Sequence, residues 1–314
     1  MFGWLNRFIA MPQRRPVPPR PVQAPLRPAP AASVVASDPN ATAPVSTWSW
    51  LLGVPPPTDT PLQNAEQAVL DLLQATVAKR VLPAYLMPLA SSVVPPLLRL
   101  LRQPNASRRE IVARVSRDQA LKAEVLRLAQ SAFYRTEAEV DSLEAAVMVL
   151  GTSGLQAAIA RVVLKPIFDN HKGDLTSRAS ARAWRFADHQ AECCAQLAEQ
   201  AGIQRSEGFL AGTLHSMGRT AVLRVLDRAS LQPDWPCSLA LDQAMNTYSD
   251  QLFGRLVMDL QITPVLTETG RLLGRHGRVD EAGGLAAVLR ESETQTTQAL
   301  LRQDSAGQAT DHAG

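Results

Sequence analysis

The stretch Gly208-Phe209-Leu210-Ala211-Gly212-Thr213-Leu214-His215-Ser216-Met217-Gly218-Arg219 is the part of this chain whose reading decides the fold. Ser206 opens a helix that runs through Leu214, and Gly218 reads as the break that ends it. One imidazole, His215, sits between Leu214 and Ser216 with Met217 beyond. A histidine in such surroundings is either packed and hydrogen-bonded for structure or the remnant of a site.

Upstream, helical spacing continues. A long helix is expected over Ser177–Ala201, ending before Gly202, and it carries Trp184, Phe186, Asp188 and His189. Asp141 with Glu144 caps a helix that stops at Gly151. Asp118 is an N-cap for a helix with Leu121, Val125, Leu128 and Ala129, and Ser107 with Glu110 forms a capping box for another. Ala65, Ala68, Val69, Leu72, Leu73 and Val77 recur three and four apart, and Pro83 closes that run. Downstream, Thr263-Pro264 reads as N-cap and first helical residue, and a final helix runs from about Gly283 to Leu301. No clean period-two strand interrupts this series, so the body is expected to be all-α.

Composition agrees. Hydrophobic residues are 46% and aromatics only 5% of the 314 residues, with Ala and Leu dominating over the β-branched types. That balance favours helices over sheets. The net charge of +3 is too small for binding nucleic acid by bulk electrostatics, and no nucleic-acid partner is expected. Three cysteines, Cys193, Cys194 and Cys237, form no paired framework, which points to a reduced, cytoplasmic setting.

Residues 12–61 differ in kind. Prolines recur from Pro12 to Pro30 and again at Pro55-Pro56-Pro57 and Pro61, and no acid precedes Asp38. Such a segment buries too little apolar surface to offset its ordering entropy, so residues 1–61 are expected to form a disordered arm. At its start, Phe2, Leu5 and Ile9 share a helical face, which offers a short anchor for the inner membrane surface or a partner groove. The charge-free run Val81–Leu98 is broken by Pro83, Pro88, Pro95 and Pro96, so no membrane span is expected there. The expected organisation is an arm to residue 61, a leading helix over 62–81, a main domain over 82–280, and a helix with a loose tail over 281–314.

Three stretches in this order resemble the HDOD (HD-related output domain) family. The first is Leu82-Pro83 with Arg117-Asp118-Gln119-Ala120-Leu121 and Arg127-Leu128-Ala129-Gln130-Ser131-Ala132-Phe133-Tyr134, where Gln119 and Gln130 replace the family's usual Pro and Asn. The second is Val140–Gly151, ending in Leu150-Gly151. The third is the Gly208–Arg219 stretch, similar to the family's Phe-Leu-x-Gly-Leu-Leu-His-x-x-Gly signature, with Trp184 at the usual distance upstream. The resemblance covers roughly residues 82–270 and implies an HD-like helical bundle. Around Leu260–Thr269 Pro264 is present, but the flanking Trp and His of many members are not.

HD phosphohydrolases hold metal with a first His, a His-Asp dipeptide and a later Asp, so that a bound water is acidified. Here Phe186 stands at the first position and the dipeptide is His215-Ser216. Asp188-His189 has the order reversed on another helix. His189 could join His215, but no third ligand is legible, so neither metal nor cofactor is expected. His215, Ser216, Phe186, Trp184 and Arg219, with Phe133-Tyr134, are the candidates for a vestigial pocket.

Weaker constellations carry less. Gly151-Thr-Ser-Gly154 lacks the strand and Lys of a phosphate loop. Ser153, Asp169 and His171 are triad types that nothing assembles. Cys193-Cys194 lies in an Ala-rich stripe and reads as packing. Arg99, Arg102, Arg108, Arg109 and Arg114, mixed with acids, read as a solvated face.

The resemblance implies bacterial signal transduction. The expected function is non-enzymatic regulation or scaffolding, through contacts with unidentified signalling proteins. Two rivals stay open: a degenerate metal-dependent phosphohydrolase, and a sensor that binds a nucleotide second messenger around His215 and Arg219. A pocket filled by Phe186 would count against the sensor.

Overall fold

Side-chain caps start several helices where the sequence places them. The computed structural model describes residues 45–86, 107–130, 140–169, 173–278 and 283–311. Within these, Ser107 Oγ accepts from Glu110 N, Asp118 Oδ1 from Leu121 N and Thr263 Oγ1 from Leu266 N, each satisfying an amide that the first helical turn leaves unpaired. One expected cap shifts: Ser142 rather than Asp141 accepts from Ala145 N, at 3.1 Å.

The helices are α1 (Thr47–Leu52), α2 (Asn64–Val77), α3 (Arg108–Val115), α4 (Gln119–Ala129), α5 (Leu143–Asp169), α6 (Asp174–Gln200), α7 (Arg205–Ala229), α8 (Leu239–Leu260), α9 (Pro264–His276) and α10 (Gly284–Asp311), with a 3₁₀ turn at Ala84–Leu86. Gly151, at φ +57°, kinks α5 where a helix end is expected. No strand occurs among the described residues. Thr58 alone forms a bridge, its N–H donating to Cys237 O and its carbonyl accepting from Leu239 N, both at 2.9 Å.

α7 is the axis of the bundle. Every residue from Gly208 to Leu223 is buried, as a helix walled on all sides must be. α6, α8, α5 and α10 pack around it, and α9 lies against α8. One expectation on α7 is corrected here. Gly218 does not end the helix, which continues to Ala229, because the missing side chain serves packing instead. A Cβ at Gly218 would collide with Ser249 O and lie 2.9 Å from Phe253 Cβ, so glycine there lets the backbone of α8 approach.

The arm is also shorter than expected. Residues 1–44 and the anchor at Phe2, Leu5 and Ile9 lie outside the described residues, but within 45–61 the stretch 46–52 and Pro57 are buried. α1 starts at Ser46, which accepts from Ser49 N, and ends on Gly53 at φ +63°. Trp48, Trp50, Leu51 and Leu52 join the same core as α7. Six residues cannot sustain a helix in water, so this one exists through its packing, a signal that neither periodicity nor proline density carries.

The other end is longer than expected. α10 runs to Asp311, and Leu285, Leu289 and Leu300 are buried with the main core. One core therefore spans the expected leading helix, main domain and C-terminal helix. The proline-broken Val81–Leu98 run falls mostly outside the described residues. Among those described, no helix is long and apolar enough to cross a membrane.

Candidate functional site

Glycines in α7 set the site. A Cβ at Gly212 would lie 2.6 Å from Gln190 O, so its absence brings α6 alongside, as Gly218 brings α8. Gln190 and Asp250 are thereby placed on either side of His215. Gln190 Nε2 donates to His215 Nδ1 at 2.9 Å, and His215 Nε2–H donates to Asp250 Oδ1 at 2.9 Å. Arg219 Nη2 donates to Gln190 Oε1 at 3.3 Å, which fixes the amide orientation and with it the imidazole tautomer. The edge of Phe253 closes the ring from one side, the two ring centres 5.0 Å apart.

Two further groups arrive from beyond α8. Arg278, just after α9, donates from Nε to Asp250 Oδ2 at 3.2 Å and from Nη2 to Glu293 Oε2. Glu293, on α10, also faces Arg219 Nη1 at 3.7 Å and accepts from Thr47 Oγ1 of α1 at 3.2 Å. The cluster thus holds two carboxylates and two guanidiniums, closed off from solvent: the His215 side chain is 1% exposed, Arg219 3%, Glu293 4% and Asp250 6%. Only Arg278, at 25%, touches solvent appreciably.

The electrostatics follow from that pairing. Burial alone would raise the Asp250 and Glu293 carboxyls. The His215 hydrogen bond and the Arg278 and Arg219 charges outweigh it for Asp250, and the two arginines do so for Glu293, so both sit below ordinary carboxylate values. Burial lowers Arg219, opposed by Glu293 and Asp250, whereas Arg278 is held above its ordinary value because the two carboxylates outweigh its desolvation. Cys194 donates to Ser292 Oγ beside this cluster, and burial pushes its thiol up to about 12, which leaves it inert.

The structure sorts the sequence candidates. His215, Arg219 and Phe186 come together, with the Arg219 guanidinium 4.5 Å from the centre of the buried Phe186 ring. Ser216 is buried beside them, but its Oγ makes no hydrogen bond. Trp184 stands apart, half-buried under the Arg161 guanidinium at 5.1 Å. His189 does not join His215: its Nδ1 pairs with Arg185 O, one turn back on α6. Phe133, Tyr134, Arg99, Arg102, His171 and the side chains of Ser153 and Asp169 lie outside the described residues.

Sequence reasoning missed Asp250, Glu293, Arg278 and Gln190. A trace existed. Ser292, Glu293, Thr296 and Thr297 repeat at three- and four-residue spacing between Leu289 and Leu300, a polar set on the face that buries. No third ligand to His215 was expected, yet one ligand atom from each of His215, Asp250 and Glu293 lies within 4.8 Å of the others.

These residues still do not fit a metal as they stand. Both imidazole nitrogens are engaged, both carboxylates carry guanidiniums, and the charges of the four ionic groups cancel. A divalent ion would have to expel an arginine from each ligand position it took.

Residues 87–235 match the family model for the HDOD domain. No curated protein matches the sequence. Among solved structures, the chain is similar to a candidate metal-dependent phosphohydrolase from Shewanella amazonensis, at 15% identity and a TM-score of 0.59, over 75% of this chain and 85% of that one. It is also similar to an HDOD domain protein with unknown function from Geobacter sulfurreducens, at 18% identity and a TM-score of 0.50, over 73% and 78% of the two chains. These likenesses carry the fold.

Proposed function

Since this chain carries an HDOD domain, matched over residues 87–235, we propose that it is a non-enzymatic regulatory or scaffold protein of bacterial signal transduction, acting by contact with other proteins. The observation that carries this reading is the saturation of the cluster around His215. A hydrolytic metal centre keeps a coordination position open for water or substrate. Here every ligating atom is held by a protein donor or acceptor, and the enclosing side chains leave His215 1% exposed. Phe186 and Arg219 are both buried and packed on each other, the guanidinium 4.5 Å from the ring centre, which counts against the second-messenger reading. Such a protein works through its surface, in the cytoplasm, with residues 1–9 as a docking segment for a partner or the inner membrane face.

The test loads the purified full chain with Mn²⁺, Fe²⁺ or Zn²⁺ and assays nucleotide and phosphoester hydrolysis. No turnover with any metal is the expected result. Turnover that rises with bound metal overturns the reading. Capture of partners with the chain lacking residues 1–44, compared with the full chain, then assigns the contact to the arm or to the helical body.

A further inference from the structure

We infer that the groove between the end of α2 and the paired helices α8 and α9 docks an acidic segment of a partner protein, one that sets carboxylates around an aliphatic side chain. This names the chemistry of a partner, and so rests on the reading of the chain as a contact protein. Close helix packing makes the groove. A Cβ at Gly254 of α8 would collide with Gly274 N of α9, and one at Gly270 would lie 2.8 Å from Gly254 O, so the two backbones touch. Along that seam Arg255 of α8 stands beside Arg271 and Arg275, which lie four residues apart on one face of α9. Arg80, just beyond α2, lines the same space of about 390 Å³.

Charge selects the occupant. Four guanidiniums line the groove against one carboxylate, that of Asp259, an excess as large as the net charge of the whole chain. One further acid, Glu268, reaches Arg271 along α9. The Arg80 and Arg275 side chains are exposed and make no hydrogen bond or ion pair among the described residues. The chain's own arm has the wrong sign, since the residues before Asp38 carry Arg7, Arg14, Arg15, Arg20 and Arg27 and no acid. The apolar lining selects further. Val81 is 78% exposed, yet the backbone before it is held, because Arg255 donates to the carbonyls of Val77 and Arg80. Met258 lines the same space. A free phosphate would leave Val81 and Met258 wet, and a flat lipid surface does not follow arginines into a groove. A peptide meets both demands, its aliphatic side chain on Val81 and Met258 and its carboxylates on the arginines. Because the Val81 backbone is already fixed, little ordering entropy is lost on docking.

The test uses the full chain and a fluorescent peptide of repeated Glu-Leu-Glu triplets, read by anisotropy. The wild type is expected to bind it, more weakly as salt rises. Arg80→Glu and Arg275→Glu should each lower the affinity at least fivefold with Tm unchanged. Arg117→Glu, an equal change of charge on an exposed side chain outside the groove, should leave it as it is. Val81→Ser, or Ser for Leu in the peptide, should each cost at least threefold in affinity. Should a charge reversal unfold the chain, Arg80→Gln/Arg275→Gln is measured in its place against the same outcomes. The inference is overturned if the peptide fails to bind, if Arg117→Glu weakens it as much as Arg275→Glu, or if the Ser peptide binds as well as the Leu one. It is equally overturned if phosphatidylglycerol vesicles or single-stranded DNA bind more tightly and lose that binding in Arg275→Glu. Self-association of the wild type that Arg275→Glu disperses overturns it too, by making a second copy the occupant. Metal-dependent turnover would sink the non-enzymatic reading while the peptide comparison still judged the groove. Failure of the peptide would sink the groove and leave the regulatory reading to other surfaces.

Discussion

Thr47 and Glu293 are 246 positions apart in the chain, and the threonine hydroxyl donates to the glutamate carboxylate at 3.2 Å. A residue from a segment that composition assigns to a tether thus bonds to the central ionic cluster. Ser46 beside it donates to Asp242 of α8, and Trp50 Nε1 donates to Asp304 of α10 at 2.9 Å. The two ends of the described chain are joined over the site, and neither can be removed as an appendage.

Truncating Trp48 should therefore behave as a core deletion. Its side chain is fully buried, and Trp48→Ala is expected to cost about 3–5 kcal/mol. Urea unfolding of the full chain checks this. A loss under about 1 kcal/mol would return α1 to the arm.

Gly218→Ala and Gly151→Ala separate two kinds of glycine. At Gly218 the added methyl meets the α8 backbone, so overpacking is expected to cost about 1–3 kcal/mol or more. Gly151 has open space around it, but its φ +57° and ψ −164° lie in a region essentially reserved for glycine, so a backbone penalty of about 1–3 kcal/mol applies instead of a packing one. A loss at Gly218 well under about 1 kcal/mol would show that α8 does not depend on that close approach.

Arg219→Ala should break a buried pair and leave Glu293 and Gln190 short of a donor, at a cost of about 3–5 kcal/mol. The Arg219→Ala/Glu293→Ala double variant is expected to lose clearly less than the sum of the single losses. Additive losses in the double-mutant cycle would mean that the two side chains are not coupled.

Acid should unfold the protein through the same cluster. In the unfolded chain Asp250 and Glu293 titrate at ordinary carboxylate values, near about 4. Folded, both lie lower, so their contribution is fully present above that range and is lost as pH falls through it toward the folded values. Urea midpoints between pH 3 and 7 should rise with pH and then level off. Glu293→Gln should flatten the rise, and an unchanged slope would place the acid sensitivity elsewhere.

Thiol chemistry reports the packing of α6. Cys194 and Cys237 are buried and pushed up to about 12, whereas Cys193 is half-exposed and only raised. A disulfide reagent at pH 8 should modify one thiol in the native chain and three in urea. Fast reaction of two native thiols would show that α6 opens.

The helices were legible because their signals are local. Asp118 and Thr263 cap where they are read to cap, and Gly151 kinks where a helix end is read. Gly218 was misread because a breaker and a packing contact are the same letter; only the neighbouring Ser249 carbonyl tells them apart. α1 was invisible for a related reason, since six residues carry no period and draw their structure from distant partners. Part of the site was legible, as His215 and Arg219 lie in the third family-like stretch and Phe186 stands where the first His of HD phosphohydrolases would be. Asp250, Arg278 and Glu293 were not, because each lies on its own element, with no spacing rule linking it to His215.

The unequal exposure around His215 gives the cluster an order of wetting. Arg278 faces solvent, while the groups behind it are sealed under α1 and α10. Exposure falls from Arg278 at 25% through Asp250 at 6% and Glu293 at 4% to His215 at 1%. The imidazole is thus the most sheltered ionisable member of the cluster.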